Sequence, residues 1–248
     1  TTCRRQRQMC IRDSPDVDAI FGLHISSKST AGQVLLKPGS IMAAVDEFRI
    51  DLTGVQTHGS TPWTGIDPIV TASQMINSIQ TIVSRSMPLT TAAAVVTIGS
   101  IHGGVRSNII PEKLYMLGTI RTLDNSMRAT VLKRLDKIVQ NVAAANNVIA
   151  DVTFMNSYPV TYNDPELYEK MLPTLKRVCG ADNVNYMDAI TGAEDFSFFQ
   201  KEVPGVYFFI GGSSEGMDLD KVAPHHTPDF YVDLSLIHIS EPTRQFRI

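Results

Sequence analysis

The chain has 248 residues, 43% of them hydrophobic, which is enough for one or two domains with a buried core. The charged fraction is 19% and the formal net charge is −3, so the sequence has no broad basic surface for nucleic acid and no polybasic patch for a membrane. No apolar run approaches the roughly 20 residues of a membrane span. Three scattered cysteines argue against a disulfide framework and predict a reducing, cytoplasmic compartment.

The two ends of the chain show neither helical nor strand periodicity. Residues 1–14 and 234–248 resemble translated linker or adaptor sequence, and we predict that both are non-native. An ordinary disordered tail at each end is the alternative. In either case the fold has to be predicted from the residues between them.

Hydrophobic periodicity between these ends predicts strands and helices in alternation. Apolar runs predict a strand over 18–26 and a short strand over 32–40 that is ended by the turn signal Pro38-Gly39. Alternation predicts a half-exposed strand over 45–55. Asp67 as N-cap and Pro68 in the first turn predict the start of a helix that runs to residue 85. The later predicted elements are strands over 92–104, 112–123, 148–158 and 206–212, and helices over 126–146 and 164–180.

The order of elements over 45–158 is strand, helix, strand, strand, helix, strand. This order is typical of a ferredoxin-like (βαββαβ) unit, in which two helices cover one face of a four-stranded antiparallel sheet. Such a unit leaves its other face and an edge strand to be covered, often by a partner. Residues 16–44 and 159–233 are too few for an independent doubly wound domain. We therefore predict an α/β protein in which 45–158 is inserted into a partial α/β domain formed by 16–44 and 159–233.

Seven stretches that follow one another from Asp16 to Asp233 carry a resemblance to one family. They are "FGLHIS", "LKPGSIMAAVDEFRIDLTG", "THGSTPWTGIDPIV", "VVTIGSIHGG", "SNIIPEKLYMLGTIRT", "TGAEDFSFF" and "APHHTPDFYVD". The sequence resembles the metal-dependent amidohydrolases typified by hippurate hydrolase, N-acyl-amino-acid amidohydrolase and the plant auxin-conjugate hydrolases, within the aminoacylase and carboxypeptidase superfamily. The resemblance implies hydrolysis of N-acyl amino acids or dipeptide-like substrates by a catalytic domain with two divalent ions, zinc or manganese. It also implies a homodimer formed through 45–158.

One departure from the family pattern changes the expected activity. The family has an amino-terminal Cys-Gly-His-Asp stretch that gives two metal ligands, and a later Glu-Glu pair that gives the general base and another ligand. This sequence contains neither. We therefore expect an amino-terminally truncated fragment that is inactive alone. The alternative is a non-enzymatic dimerising module with a remnant metal loop, and the reading frame upstream of residue 1 would discriminate the two.

Two histidines are implied as metal ligands. His24 ends the predicted strand 18–26, where a structural histidine is the plainer interpretation, but the resemblance implies a ligand. His225 and His226 are adjacent in a loop, and the resemblance implies the one directly before Thr227-Pro228, which is His226. Imidazole and carboxylate ligands suit zinc, manganese or a related divalent ion.

Three further residues are implied to act on the substrate. His58 lies in a predicted turn, where it could bond nearby backbone; in related enzymes a histidine at this place reaches the active site of the partner subunit and stabilises the oxyanion. Asn108 could form an Asx-turn, and the resemblance gives it a role with the substrate or its oxyanion. Arg121 could make a surface salt bridge, or its guanidinium could bind a substrate carboxylate.

The adjacent acids Glu194 and Asp195 follow a Thr-Gly-Ala stretch. Paired carboxyl groups suggest general acid–base chemistry. We favour the plainer interpretation, in which Glu194 supports the metal ligands without acting as the base.

Overall fold

The computed structural model describes residues 17–234, except for the side chain of Asn156. The two segments predicted to be non-native, 1–14 and 234–248, lie outside the described residues apart from Leu234. No helix in the described part of the chain is long and apolar enough to cross a bilayer. The chain is a mixed α/β protein, as the sequence predicts.

The described residues form two compact units. Unit 1 comprises residues 17–41, 161–190 and 195–234, and unit 2 comprises 42–160 and 191–194. The strands are β1 (Ile20–Thr30), β2 (Val34–Leu36), β3 (Gly39–Met42), β4 (Ala44–Thr53), β5 (Thr57–His58), β6 (Ala94–Gly103), β7 (Ile109–Ile110), β8 (Lys113–Thr122), β9 (Ile149–Tyr158), β10 (Thr161–Asn163), β11 (Val184–Tyr186) and β12 (Gly205–Ser213). The α-helices are α1 (Pro68–Ser86), α2 (Asn125–Ala145) and α3 (Pro165–Cys179), and 3-10 helices cover Pro62–Thr64, Ala181–Asn183 and Asp195–Lys201.

Unit 2 is built on one antiparallel sheet with the strand order β6–β8–β4–β9. The register of β4 against β8 is unbroken, from Ala44 opposite Thr122 to Thr53 opposite Lys113. Alternate strand residues and the apolar stripes of α1 and α2 meet in one core, because strands repeat every two residues and helices every 3.6. The buried residues of this core are Phe48, Ile50, Leu52, Ala72, Met75, Ile79, Ile82, Val96, Leu114, Met116, Ile120, Val131, Leu135, Val139, Ala143 and Val148.

Each α-helix begins directly after an aspartate that caps it. The Asp67 carboxylate accepts hydrogen bonds from the N–H groups of Ile69 and Val70, which confirms the predicted start of α1. Asp124 caps α2 and Asp164 caps α3 in the same way. A carboxylate at this position satisfies amide groups that have no partner inside the helix and complements the positive end of the helix dipole.

A buried ion pair connects α2 to the sheet of unit 2. The Arg128 guanidinium donates through Nε and Nη2 to the two carboxylate oxygens of Asp46, at 2.7 and 2.6 Å. Asp46 lies on β4 and is 3% exposed. The two parallel hydrogen bonds fix the approach of the helix more tightly than apolar packing alone, because their geometry is directional.

Unit 1 has a mixed four-stranded sheet in the order β1–β12–β2–β11. β12 is parallel to β1 and antiparallel to β2. α3 packs against it through a small core formed by Val34, Leu36, Tyr168, Leu175, Val206, Phe208 and Ile210. Phe21 and Leu23 of β1 are 51% and 49% exposed, so part of the apolar surface of this sheet is uncovered in the described residues.

The short strand predicted over 32–40 is confirmed as β2, and the predicted break at Pro38-Gly39 leads into a second strand, β3. Lys37 and Pro38 separate the two strands, and Gly39 has a positive φ of 75°. β2 pairs inside the main sheet, whereas β3 pairs with β10. The chain changes sheets at Pro38-Gly39 because proline has no N–H to continue the ladder and glycine tolerates the left-handed backbone that the change of direction needs.

Candidate functional site

His24 lies within β1 of unit 1. It was predicted at a strand end, and this is wrong, because β1 continues to Thr30 and His24 pairs opposite Phe209 of β12. The strand extends through polar residues after Ile25, since ladder hydrogen bonds come from the backbone and require no apolar side chain. The His24 ring stands edge-on to the Phe209 ring, with 5.8 Å between their centroids.

The His225 ring is held against β1. Its centroid is 5.3 Å from that of His24, and its Nε2 accepts a hydrogen bond from the Ser27 N–H at 3.2 Å. A backbone N–H can only donate, so the Nε2 lone pair is occupied and the neutral ring carries its proton on Nδ1. Burial lowers the pKa of His225, and repulsion from His24 and His226 lowers it further. The structure therefore keeps His225 neutral, with one nitrogen already bonded.

His226 occupies a different environment from its neighbour. It is exposed, its ring centroid is 6.5 Å from that of His225, and neither ring nitrogen has a hydrogen-bond partner within the described residues. Its φ of 64° lies in the left-handed region, which costs a non-glycine residue about 1–2 kcal/mol. Such backbone strain is common at ligand-binding positions. The loop therefore holds the His225 ring inward and leaves both nitrogens of His226 available.

The described residues do not complete a metal site by themselves. Across residues 17–234, no three His, Cys, Asp or Glu side chains are grouped so that they could hold an ion. Imidazole suits zinc or manganese, but a hydrolytic zinc site commonly has three protein ligands and an open position. The neighbouring histidines of unit 1 fit the donor chemistry of a divalent ion but not the number of ligands that it needs.

Unit 2 carries a two-stranded arm, formed by β5 and β7, that brings His58 and Asn108 together. His58 pairs opposite Ile109, and the Gly59 N–H donates to the Asn108 carbonyl oxygen at 2.8 Å. The arm continues the β4–β8 ladder, because the Gly54 N–H donates to the Glu112 carbonyl directly beyond the last pair of that ladder. Two residues that are 50 positions apart in sequence therefore lie at the tip of one projection.

The side chains at the tip of the arm have different partners. The Asn108 amide makes no hydrogen bond within the described residues, so the Asx-turn that the sequence allows is not formed there. The His58 ring is held at Nδ1, which accepts from the Ser60 N–H at 3.1 Å and lies 2.7 Å from the Ser60 Oγ. This is the local bonding that the sequence allows for a turn histidine, and it leaves Nε2 unbonded in the described residues.

Arg121 lies near the far end of β8, opposite Val45 and Val95. It is half-buried, and no carboxylate in the described residues pairs with it, so the surface salt bridge considered from the sequence is not formed there. Eight residues of strand separate Lys113 from Arg121, which corresponds to roughly 26 Å. Within a single copy of unit 2, Arg121 and the His58–Asn108 tip therefore lie toward opposite ends of β8.

Glu194 belongs to the short segment 191–194, which groups with unit 2 although it was predicted within 159–233. The Gly192 carbonyl in this segment accepts a hydrogen bond from the Ala43 N–H at 2.8 Å. Glu194 is partly buried and directly precedes the 3-10 helix Asp195–Lys201. Its supporting role stays a prediction.

Two hydrogen bonds of the candidate site differ in how far the sequence predicted them, since only the second was among the interpretations that it allowed. The first is from Ser27 to His225, which are 198 positions apart. The second is from Ser60 to the His58 ring, and its signal is local: a serine two residues after a histidine can reach the Nδ1 atom. The sequence therefore contained the information for the second bond but not for the first.

Comparisons with known proteins agree with the resemblance. The pattern of peptidase family M20/M25/M40 matches residues 7–240. Thermostable carboxypeptidase 2 of Saccharolobus solfataricus is 35% identical over 224 residues, covering 90% of this chain and 56% of that protein. N-acetyl-L-cysteine deacetylase of Bacillus subtilis is 33% identical, covering 89% of this chain and 51% of that protein. The chain thus spans about half the length of these curated relatives.

A solved structure supports the same assignment. The YxeP protein of Bacillus subtilis, described as a dinuclear metal-binding peptidase, superposes with a TM-score of 0.74 at 25% identity, covering 96% of this chain and 57% of that one. The match of the family pattern over most of the chain and the level of identity to the two enzymes lead to one conclusion. The chain belongs to peptidase family M20/M25/M40.

Proposed function

We propose that the full-length protein hydrolyses the amide bond of N-acyl amino acids in a metal-dependent reaction. Membership of the family supports a hydrolase, and the related N-acetyl-L-cysteine deacetylase supports an N-acyl amino acid as the substrate. The related carboxypeptidase makes a dipeptide-like amide the alternative substrate within the same chemistry. A cytoplasmic location stays a prediction from the cysteine content.

The observation that carries this proposal is the tip of the arm in unit 2. His58 and Asn108 lie on the paired segments of the arm, and the His58 Nε2 and the Asn108 amide are unbonded within the described residues. Amide hydrolysis develops negative charge on the carbonyl oxygen, and donors fixed in advance stabilise that charge at no reorganisation cost. The removal of one such donor lowers kcat by roughly 100- to 1,000-fold in other enzymes.

We assign Arg121 to the α-carboxylate of the substrate. Its guanidinium fork matches a carboxylate, and no acidic side chain in the described residues competes for it. A small substrate cannot reach both Arg121 and the tip of the same unit 2, since roughly 26 Å of strand lies between them. We therefore propose a homodimer through unit 2, ferredoxin-like in its strand order, in which one subunit provides Arg121 and the other provides His58 and Asn108.

We assign His24 and His226 as two ligands of a divalent ion, zinc or manganese, in the two-metal centre of the full-length protein. His226 is preferred to His225 because the Nε2 of His225 is already bonded to Ser27. A bound metal of this kind would lower the pKa of a water molecule. The other ligands and the general base come from outside residues 17–234.

The first experiment compares the full-length protein with this chain. We expect the full-length protein to release amino acid from N-acetyl amino acids with zinc or manganese and to lose that activity with a chelator. The 248-residue chain should release none. Turnover by the chain alone contradicts the proposal, and dimer formation without turnover by either form supports a non-enzymatic module instead.

The second experiment tests the two-subunit site. His58→Ala and Arg121→Ala proteins should each have little activity, but dimers that contain one of each variant keep one intact site out of two. A mixed population should recover about a quarter of the wild-type activity, since half of its dimers are mixed. The two variants serve as controls for each other, and failure of the mixture to recover activity would show that both residues act within one chain.

A further inference from the structure

Ser60 lies two residues after His58 and bonds its ring. The Ser60 N–H donates to Nδ1 of His58 at 3.1 Å, and the Ser60 Oγ is 2.7 Å from the same nitrogen. Both groups belong to the turn that follows β5, in which the Thr61 N–H also donates to the His58 carbonyl at 2.9 Å. The ring is therefore fixed by its own turn rather than by packing, since His58 is exposed.

These two bonds determine which nitrogen carries the proton. A backbone N–H can only donate, so Nδ1 has to be the acceptor. The Ser60 hydroxyl then also donates to Nδ1, so two donors share the lone pair of this nitrogen. A neutral imidazole with an unprotonated Nδ1 has its proton on Nε2. The ring thus presents an N–H donor at Nε2, which has no partner in the described residues.

We propose that Ser60 is a positioning residue that holds His58 in the Nε2–H tautomer and fixes its ring. This inference rests on the proposed function, in which the Nε2–H stabilises the oxyanion. The opposite tautomer would present a lone pair at Nε2 and would repel the developing negative charge. Without the Ser60 hydroxyl, only the longer bond from the backbone N–H would hold Nδ1, so the preference for the Nε2–H tautomer would be weaker and a smaller fraction of the protein would hold a donor at the tip.

The direct test measures the tautomer and needs no activity. With 15N-labelled histidine in this chain, long-range 1H–15N correlations recorded at about pH 8.5 distinguish protonated from unprotonated ring nitrogens. His58→Gln identifies the His58 signals by their loss. We expect wild-type Nδ1 to be unprotonated and Nε2 protonated. In Ser60→Ala the two 15N shifts should move toward each other, because only the longer backbone bond remains.

Two variants serve as controls for this measurement. Ser60→Thr keeps a hydroxyl group and should keep the wild-type shifts. Ser107→Ala removes another exposed serine, next to Asn108 and without a hydrogen bond to His58, and should change neither nitrogen of His58. Ser60→Ala shifts identical to those of the wild type would overturn the inference, because the hydroxyl would then have no part in setting the tautomer.

The kinetic test uses the full-length protein. Ser60→Ala should lower kcat by about tenfold, as expected for the loss of one hydrogen bond, with little change in KM. Ser60→Thr should restore kcat, and Ser60→Ala should have no further effect in a His58→Ala background. An equal loss in that background would show that Ser60 acts on folding and would overturn the inference.

The failure of this inference can be distinguished from the failure of the proposed function. If His58→Ala keeps the wild-type kcat, the proposed oxyanion role is wrong, whatever the tautomer is. If His58→Ala lowers kcat but Ser60→Ala changes neither kcat nor the ring shifts, the oxyanion role stands and the role of Ser60 is wrong.

Discussion

Unit 1 and unit 2 are of similar size but bury their apolar residues differently. Two helices cover one face of the sheet in unit 2, and Phe48 at the centre of its core is fully buried. In unit 1 a single α-helix, α3, packs on a core of seven buried residues, and Phe21 on its sheet is half exposed. Buried apolar area is the main source of stability. The comparison therefore indicates that unit 2 is the more stable of the two.

The two units also differ in how they hold their candidate functional residues. The candidate oxyanion donors lie on unit 2, whose turn alone fixes the His58 ring. The candidate metal ligands, His24 and His226, lie on unit 1, where the His24 ring contacts the ring of His225 and the described residues do not complete a metal site. Unit 2 presents its functional groups by local structure, whereas the groups of unit 1 need ligands from elsewhere.

The largest expected effect on the free energy of unfolding comes from replacing a phenylalanine in each unit. Phe48→Ala should lower the free energy of unfolding by about 3–5 kcal/mol, because it leaves a cavity in the core of unit 2. Phe21→Ala is the matched control and should change it by less than about 0.5 kcal/mol, since the ring is half exposed. Urea denaturation measures both. An equal cost for the two variants would show that the β1 surface is covered in solution.

We expect a smaller effect on stability from two ion pairs in unit 2, of which one is buried and the other is more exposed. Asp46→Ala should cost about 3 kcal/mol, because it leaves the Arg128 charge without its buried partner. Asp51→Ala breaks the equally short pair with Arg49, but that pair is much more exposed to solvent than the Asp46–Arg128 pair and should contribute less to stability. Urea denaturation at low and high salt tests both, and only the Asp51 effect should decrease as salt increases.

The side chain of Asn163 forms a network of hydrogen bonds with the backbone of unit 1. Its side-chain amide donates to the carbonyl oxygens of Lys37 and Tyr207, and its oxygen accepts from the Tyr207 N–H at 2.6 Å. Asn163→Ala leaves these buried groups unpaired and should destabilise unit 1 by about 2 kcal/mol. Asn77→Ala, on the exposed face of α1, should change stability by less than about 0.5 kcal/mol.

Cys179 provides a probe that reports on unit 1 alone. It packs against the core of that unit, and burial raises the pKa of its thiol, so it should react slowly with thiol reagents in the folded protein. With Cys3 and Cys10 replaced by serine, Asn163→Ala should speed the labelling of Cys179. Phe48→Ala should speed it less. Equal acceleration by both variants would show that the two units unfold together.

The smallest expected effect compares helix caps in the two units. Asp124→Ala should cost about 1 kcal/mol in unit 2, and Asp164→Ala should cost about the same in unit 1, because a cap acts locally. Hydrogen bonds from the Ser126 hydroxyl and the Met127 N–H lower the pKa of Asp124 in the folded state. Its contribution is therefore complete above the ordinary carboxyl pKa and is lost as pH falls through the lowered value.

The pH dependence gives a direct measurement for this cap. The difference in unfolding free energy between wild type and Asp124→Ala should decrease as the pH is lowered from neutral into the range where the carboxylate protonates. Asp124→Asn keeps a side-chain acceptor without a titrating group and serves as the control. A difference that is constant with pH would show that the charge of Asp124 does not contribute.

Local sequence determined the helices and most of the strands of this protein. Asp67 and Pro68 predicted the start of α1 because capping depends on groups within one turn. Alternation predicted β4 within two residues of its ends, because one face of that strand is buried. The sequence also predicted the family, because motifs that are far apart occur in the expected order.

Only the tertiary structure decided which distant groups meet. It placed His225 against Ser27 and His24 although the loop and the strand are far apart in sequence. It also paired β3, which follows the predicted turn at Pro38-Gly39, with β10 outside the main sheet of unit 1. It also placed Arg121 and His58 toward opposite ends of β8, on two different sheets. Caps and periodicity are set within a few residues, whereas these outcomes depend on which strands pair and in what register, and that pairing is decided by the packing of the whole unit.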